Sequence, residues 1–423
     1  MDEHETSDAA LLAGVRVLDV SRILAGPWAT QLLGDLGADV LKIERPGRGD
    51  DTRRWGPPFL CDDAGRPTDA AYFLAANRNK RSAAVDIAAK AGADLVRSLA
   101  ARADVFVENF KVGGLAHYGL DYAALSAINP RLVYCSITGF GQTGPYAARA
   151  GYDYMIQAMG GLMSVTGQPD GADGAEPMKV GVAVADLFTG LYASNAIIAA
   201  LRHAERTGAG QHLDVALFDC QIAALANQAT NYLVSGVAPG RLGNAHPNIA
   251  PYQVFRAADA HFVLAVGNDD QFGALARLLG APALASDDRF ATNADRVANR
   301  TALTDALAPL FAARPAAAWL DALEAAGVPA GPINALDAVF DDPQARARGM
   351  TVAAPRDDAP DGRYVPHPVK YGRTPTTTGT APPRLGAHTR EALQDWLGVD
   401  DEAVDALAQD GAFGEPPDAP GGA

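Results

Sequence analysis

Short apolar runs alternate with helical patterns along the N-terminal third of this chain, and few folds accommodate that order. VRVLD, Val15 to Asp19, reads as a strand. The stretch through Trp28, Leu32, Leu33 and Leu36 reads as a helix, and Val40 to Glu44 as a second strand. An alanine-rich helix around Ala88 to Ala101, a strand Val105 to Glu108, a helix near Tyr122 to Ala127 and a strand Leu132 to Ile137 extend the series. Repeated βα alternation implies parallel strands joined by right-handed crossovers, so we expect an α/β fold whose large domain is Rossmann-like.

Two long helices are expected next, Asp186 to Arg206 and Val215 to Val234, with Gly208 and Gly236 where helices commonly stop. The texture then changes. YQVFRAADAHFVLAVG reads as a hairpin turning near Ala257 to Asp259, followed by helices around Gln271 to Leu279, Leu303 to Phe311 and Ala316 to Leu323. A length of 423 residues allows two or three domains. The expected division is a large domain over 10–212, a linker helix over 213–247, a small α+β domain over 248–326, and a return segment over 327–400 that completes the large domain. Residues 401–423, ending in GEPPDAPGGA, are expected to be unstructured, as is the acidic start MDEHETSDAA.

Composition narrows the functional classes. Lys and Arg number 35 against 50 Asp and Glu, a formal charge of -15, which argues against a general affinity for nucleic acid or anionic lipid. Any anionic ligand must be held by a local cluster. The three cysteines, Cys61, Cys135 and Cys220, are widely spaced with no CxxC pair, so neither a disulfide framework nor a thiolate zinc site is suggested, and a reducing cytoplasm is the expected location. The longest apolar stretch, Tyr192 to Leu201, is broken by Ser194 and Asn195 and falls short of the roughly 20 residues of a membrane span. The eight histidines show no HExxH or HxxxH spacing, and no metal is expected.

Three features invite a chemical reading. GFGQTG, Gly139 to Gly144, formally matches GxGxxG, but Pro145 follows it, no strong amphipathic helix succeeds it, and its strand is a late one; a glycine-rich turn is the better reading. Basic residues gather at Lys42, Arg45, Arg48, Arg53, Arg54, Arg78, Lys80, Arg81 and Lys111. Several follow C-terminal ends of expected strands, where α/β sheets bind ligands, so a phosphate-bearing ligand and a merely solvated face are both open. Asp186 stands where an apolar run gives way to a helix. It suits a helix cap, and equally an ionised nucleophile, a carboxylate with an ordinary pKa near ~3.9 lying beside helix N-terminal amides.

Several long motifs in order resemble the class III coenzyme A transferases, the CaiB/BaiF family, over about Leu12 to Leu397. They are DVSRILAGPWATQLLGDLGADVLKIERP from Asp19, NRNKRS from Asn77, DVFVENFKVGGLAHYGLD from Asp104, ITGFGQTGPYAARAGYDY from Ile137, GVAVADLFTGLYA from Gly181 and RLGAHT from Arg384. The resemblance places Asp186 on the family's nucleophilic aspartate. It places Arg45, Asn109, Phe110 and Lys111 on positions that hold the nucleotide and pantetheine of coenzyme A, and Ile23, Leu24 and Ala25 on the loop lining the thioester. It implies no permanently bound cofactor, coenzyme A arriving as acyl-CoA substrate, and an interlocked, ring-like homodimer that keeps water from reactive anhydrides.

This sequence also departs from the family pattern. His117 stands where relatives commonly carry an arginine near the CoA phosphates. GNAHPNIAPYQ, Gly243 to Gln253, replaces the mobile glycine-rich loop of formyl-CoA transferases, and Pro247 stiffens it. Racemases of the family pair the aspartate with a histidine whose position here is Tyr152. Side chains with ordinary pKa values of ~3.9 and ~10 are poorly matched for two-way proton exchange near neutrality, so transferase chemistry is favoured, with Tyr152 donating a hydrogen bond to the acid substrate. NAHPNIAPYQVF, GVPAGPIN and VAVADLFTGLYA most resemble the succinyl-CoA:dicarboxylate group, which implies succinyl-CoA as donor and a dicarboxylate such as glutarate as acceptor. A 2-methylacyl-CoA racemase, a non-catalytic CoA-binding protein and a nicotinamide dehydrogenase are the alternatives.

Overall fold

The computed structural model describes residues 10–376 and 379–414. They form two compact units, the larger comprising the chain up to Gly160, Gly181–Ala224 and the chain from Arg346 onward, the smaller Gly161–Val180 and Leu225–Ala345.

The larger unit is built on a six-stranded sheet in the order Lys80–Ala84, Asp39–Glu44, Arg16–Asp19, Val105–Glu108, Val133–Thr138, Gln211–Ala216. Every pairing is parallel. In chain order this is 3-2-1-4-5-6, the Rossmann arrangement, and the winding reverses between Arg16–Asp19 and Val105–Glu108. Successive side chains of a strand point to opposite faces. Val17, Val40, Val105 and Val133 therefore meet one core, and Leu18, Leu41, Phe106 and Tyr134 the other. Helices Ala25–Asp35 and Val184–Thr207 supply the first core with Ala29, Leu33, Ala193 and Ile197. Helices Lys90–Ala100 and Thr389–Leu397 supply the second with Leu95, Leu99, Leu393 and Trp396. Burial on both faces is why these strands read as nearly continuous apolar runs.

Two strands lie outside the expected series. Lys80–Ala84 has a polar, basic sequence, yet Lys80 and Ser82 are buried because each has a carboxylate partner, Asp19 and Glu44 respectively. Val215 and Ala216, expected to open a helix running to Val234, instead close the edge strand Gln211–Ala216, where Val215 pairs with Ile137. Helix Leu217–Ala224 follows, and a separate helix, Ala226–Ser235, begins at Ala226, whose φ of 46° breaks the helical path.

Residues 401–414, expected to be unstructured, are folded. Asp400 caps helix Asp401–Gln409 by accepting the Ala403 N–H at 2.9 Å, and Val404 and Ala412 are buried in the core that holds Leu18. Residues 1–9 and 415–423, which share the expectation of disorder, lie outside the described residues.

In the smaller unit, strands Tyr252–Arg256 and His261–Ala265 form the expected hairpin, closed by the Ala257 N–H to Ala260 carbonyl bond at 2.8 Å. A third strand, Ala330–Pro332, pairs antiparallel with His261–Ala265. The GVPAGPIN segment thus belongs to this unit, and the return to the larger unit falls at Arg346 rather than at 327. Residues 161–180, expected in the large domain, also group with the smaller unit. Its core is aromatic, with Phe255, Phe262, Phe272, Phe311 and Trp319 buried among helices Asp269–Leu278, Arg300–Phe311 and Ala316–Ala325.

Candidate active site

The reversal of winding leaves a crevice beyond the carboxyl ends of Arg16–Asp19 and Val105–Glu108, the place where open α/β sheets bind ligands. Asn109, just past the second strand, joins the two edges of that crevice. Its Oδ1 accepts the Arg22 N–H at 2.9 Å and its Nδ2 donates to the Arg22 carbonyl at 2.6 Å. A cavity of about 500 Å³ opens here, lined by Ile23, Leu24, Ala25, Asn109, Phe110, Lys111, Tyr152 and Asp186. The structure brings all of these expected site residues together. Arg45 lines an adjoining cavity of about 340 Å³, and Arg22 and Phe110 line both. His117 lines neither cavity: it is exposed on the turn Ala116–Tyr118, and the neighbouring Tyr118 forms the wall near Arg45.

Asp186 lies in the first turn of helix Val184–Thr207, but it is not the cap. That role falls to Asp153, from helix Asp153–Met159, whose Oδ1 accepts the Ala185 N–H at 2.8 Å and the Asp186 N–H at 3.4 Å. Gln157 fixes the other oxygen of Asp153 at 2.7 Å. With the helix end satisfied by a neighbour, the Asp186 carboxylate is left to face the cavity. Burial, and secondarily the Asp153 carboxylate, push the Asp186 pKa up to about 7. The sequence expectation of a fully ionised aspartate is therefore corrected: desolvation disfavours the charge and moves the titration of this carboxyl up toward neutral pH. Tyr72 reports the same field, its hydroxyl raised to about 12 by burial and by the Asp186 and Asp153 carboxylates.

The glycine motif has a structural task here. A Cβ on Gly139 would collide with the backbone of Gly151, and one on Gly151 with Gly139. Only two glycines let segment 150–153 lie against the end of strand Val133–Thr138, and that contact sets Tyr152 and Asp153 beside Asp186. Asp214 accepts the Gln142 N–H at 2.9 Å, so GFGQTG is a pinned turn and heads no helix.

Of the basic cluster, most members serve the interior. Lys42 pairs with Asp50, Arg53 with Glu44 and Asp69, Arg78 with Asp35, Lys80 with Asp19, and Arg81 with Asp39. Burial opposes the Asp19 charge, but Lys80 and Lys42 beside it hold its pKa down to about 2. Arg45, Arg48, Arg54 and Lys111 stay exposed, and of these Arg45 and Lys111 line the two cavities. Sequence reasoning missed Asp153 and Asp50, and it read Lys42 only as one of a basic cluster facing a ligand or solvent. Asp153 sits in the quoted GYDY segment, whereas nothing in the local pattern around Lys42 and Asp50 distinguishes a buried pair from surface charges. Among the described residues no group of three or more His, Cys, Asp or Glu side chains is placed to hold a metal ion.

A Rossmann-type sheet with a carboxylate nucleophile candidate facing its switch-point crevice agrees with the family comparison: the profile of CoA-transferase family III matches residues 12–389, and the chain belongs to that family. It is a class III CoA-transferase by descent. Among curated relatives it is 52% identical over 385 residues to the succinate-glutarate CoA-transferase of Agrobacterium fabrum, covering 90% of this chain and 94% of that one. It is 43% identical to the succinyl-CoA:glutarate CoA-transferase of Homo sapiens, covering 95% and 89%. Among solved structures, a CaiB/BaiF family protein from Brucella suis is 53% identical with a TM-score of 0.81, covering 92% of this chain and 99% of that one.

Proposed function

We propose that this enzyme moves coenzyme A from succinyl-CoA to glutarate or a related dicarboxylate, with Asp186 as nucleophile. The observation that carries the reading is the join between the two cavities. Coenzyme A is long, with an anionic nucleotide at one end and a thioester at the other. The cavity beside Arg45 suits the nucleotide, the shared wall of Arg22 and Phe110 suits the pantetheine, and the cavity holding Asp186 suits the thioester. Asn109 and Lys111 flank that path. Tyr152 donates to the acid substrate, and Arg149, lining the same cavity, offers a cation to a second carboxylate. The substrate pair is that of the Agrobacterium fabrum and Homo sapiens relatives.

In this reading the Asp186 carboxylate attacks the thioester carbonyl, the C–S bond breaks, and CoA leaves as thiolate from a mixed anhydride. The thiolate attacks the aspartyl carbonyl, which releases succinate and leaves an aspartyl-CoA thioester. The acceptor carboxylate attacks that thioester to form a second anhydride. The thiolate then opens it at the acceptor's carbonyl, giving the new acyl-CoA and free Asp186. Each intermediate is at least as activated as the substrate, so the thioester's free energy is carried through. A site left open to water would lose it by hydrolysis.

Exclusion of water supports an interlocked homodimer. Phe188, Leu191, Tyr192 and Ile198 form an exposed apolar stripe on helix Val184–Thr207, at the spacing of one helix face and on the side of the helix away from Asp186. That helix is long and apolar enough to cross a membrane by length and composition, and a second copy of the chain is the cover we assign to its exposed face. A reducing cytoplasm is consistent with the free thiols of Cys61, Cys135 and Cys220.

The test is to mix the protein with succinyl-CoA and glutarate and follow glutaryl-CoA by mass. Hydroxylamine should convert Asp186 to a hydroxamate during turnover. Transfer by Asp186→Ala at the wild-type rate would overturn the assignment, and α-proton exchange of a 2-methylacyl-CoA without any acceptor acid would favour the racemase instead.

A further inference from the structure

Ile23 has φ of 73°, a left-handed backbone that a β-branched residue rarely adopts. Strain of this kind persists only where the surroundings over-determine it, and it concentrates at functional sites. The surroundings here are specific. The Ile23 N–H donates to both carboxylate oxygens of Asp50, at 3.2 Å each. Asp50 rests on the Lys42 ammonium at 3.0 Å, and that same ammonium donates to the Ser21 carbonyl at 2.8 Å. Lys42 and Asp50 are 0% and 1% exposed. One buried ion pair therefore grips the loop on both sides of Arg22, while Asn109 holds Arg22 itself.

We propose that Asp50, seated on Lys42, is a positioning residue: it holds Ile23 in its left-handed conformation and so fixes the Ile23–Ala25 loop against the cavity of Asp186. This rests on the transferase reading for its catalytic consequence, but the placement of the loop can be tested separately. The pair is an expensive device for packing alone, since two buried charges must be withdrawn from water. Its carboxylate serves several partners at once: Oδ1 of Asp50 also accepts the Thr52 N–H at 3.0 Å and the Thr52 hydroxyl at 2.8 Å. An asparagine has only one accepting oxygen for these partners, so Asp50→Asn must release at least one of them.

The decisive comparison pairs Asp50→Asn with Ile23→Gly, because glycine reaches positive φ without help. In the wild-type background, Asp50→Asn is expected to speed amide exchange in a peptide covering residues 21–25 and to lower kcat about tenfold, the scale of a misplaced reacting group. In the Ile23→Gly background the same change should cost less than about threefold, since independent effects would simply multiply. An equal loss in both backgrounds, or unchanged exchange over 21–25, overturns the proposal. Should Asp50→Asn fail to fold, Lys42→Met with Asp50→Asn leaves no orphaned buried cation and tests the pair as a whole, its Ser21 contact included, in the same two backgrounds. Absence of CoA transfer by the wild-type enzyme would sink the functional reading, yet exchange over 21–25 would still decide what Asp50 does.

Discussion

A carboxylate held in a poorly solvated pocket, as Asp186 is, should destabilise the protein that carries it, and the size of that effect follows from the site. The Asp186 pKa rises from 3.8 to about 7 on folding. Between those values the folded chain keeps a proton that the unfolded chain has released, so stability falls as pH rises through this window and is level above it. At about 1.36 kcal/mol per pH unit, the full cost is about 4 kcal/mol at pH 8 and under about 2 kcal/mol at pH 5. Asp186→Asn keeps the shape and removes the charge. For 423 residues the unfolding entropy is on the order of 0.9 kcal/mol/K, so the variant should melt roughly 5 °C above wild type at pH 8 and only about 2 °C above it at pH 5. Thermal melts followed by dye binding or circular dichroism at both pH values are sufficient. An equal gain at the two pH values, or a loss at pH 8, would refute the claim that desolvation of Asp186 is the source. The same ionisation should make the wild-type transfer rate climb through about pH 7.

Asp153→Asn retains an oxygen for the Ala185 N–H but removes the like charge, so the acid limb of the kcat/KM profile should move to lower pH; an unmoved limb would show that burial acts alone. Gly190 lies one turn beyond Asp186, and a Cβ there would stand 2.8 Å from the Ala25 carbonyl and 2.9 Å from Trp28 Cδ1. Gly190→Ala should cost about 1–3 kcal/mol in urea titration and lower kcat by pushing the nucleophile's helix away from the Ile23–Ala25 loop. Val404→Asp, in the helix Asp401–Gln409, should drop the melting temperature sharply, because it buries an unpaired charge; a neutral result would mean that this helix does not belong to the core.

What was legible in the sequence followed from periodicity. Strands buried on both faces, such as VYCSIT, announce themselves as apolar runs, and Asp186, the proposed nucleophile, falls at a junction that a reader of patterns will stop at. The illegible elements are those whose burial depends on distant partners. KRSAA becomes the outermost strand on its side of the sheet only because Asp19, far back in the chain, receives the Lys80 ammonium at 3.0 Å. DEAVDALAQ looks like an acidic tail until Val404 finds the Leu18 core. Most of the basic residues that suggested a phosphate site turn inward to carboxylates, and the local sequence cannot separate Lys42, fully buried, from Arg45, exposed three residues later on the wall of a cavity.

That inward turn of charge also explains how one crevice serves two opposed needs. A CoA thioester brings several negative charges, whereas a carboxylate nucleophile must be sparingly solvated to react. A crevice lined evenly with free lysines and arginines would bind the nucleotide but would stabilise the ionised Asp186 and blunt it, much as Lys80 and Lys42 hold Asp19 at about 2. Here the ammonium groups of Lys42 and Lys80 are neutralised beneath the Ile23–Ala25 loop by Asp50 and Asp19, so they brace the backbone without reaching across to Asp186. Exposed Arg45 lines one cavity and Arg22, Lys111 and Arg149 line the other, while the Asp186 carboxylate, raised by burial and by Asp153, sits on a helix end already capped by Asp153. Two buried carboxylates, Asp19 near 2 and Asp186 near 7, thus differ because the Lys80 and Lys42 ammonium groups offset burial at the first, whereas burial and the Asp153 charge act together at the second.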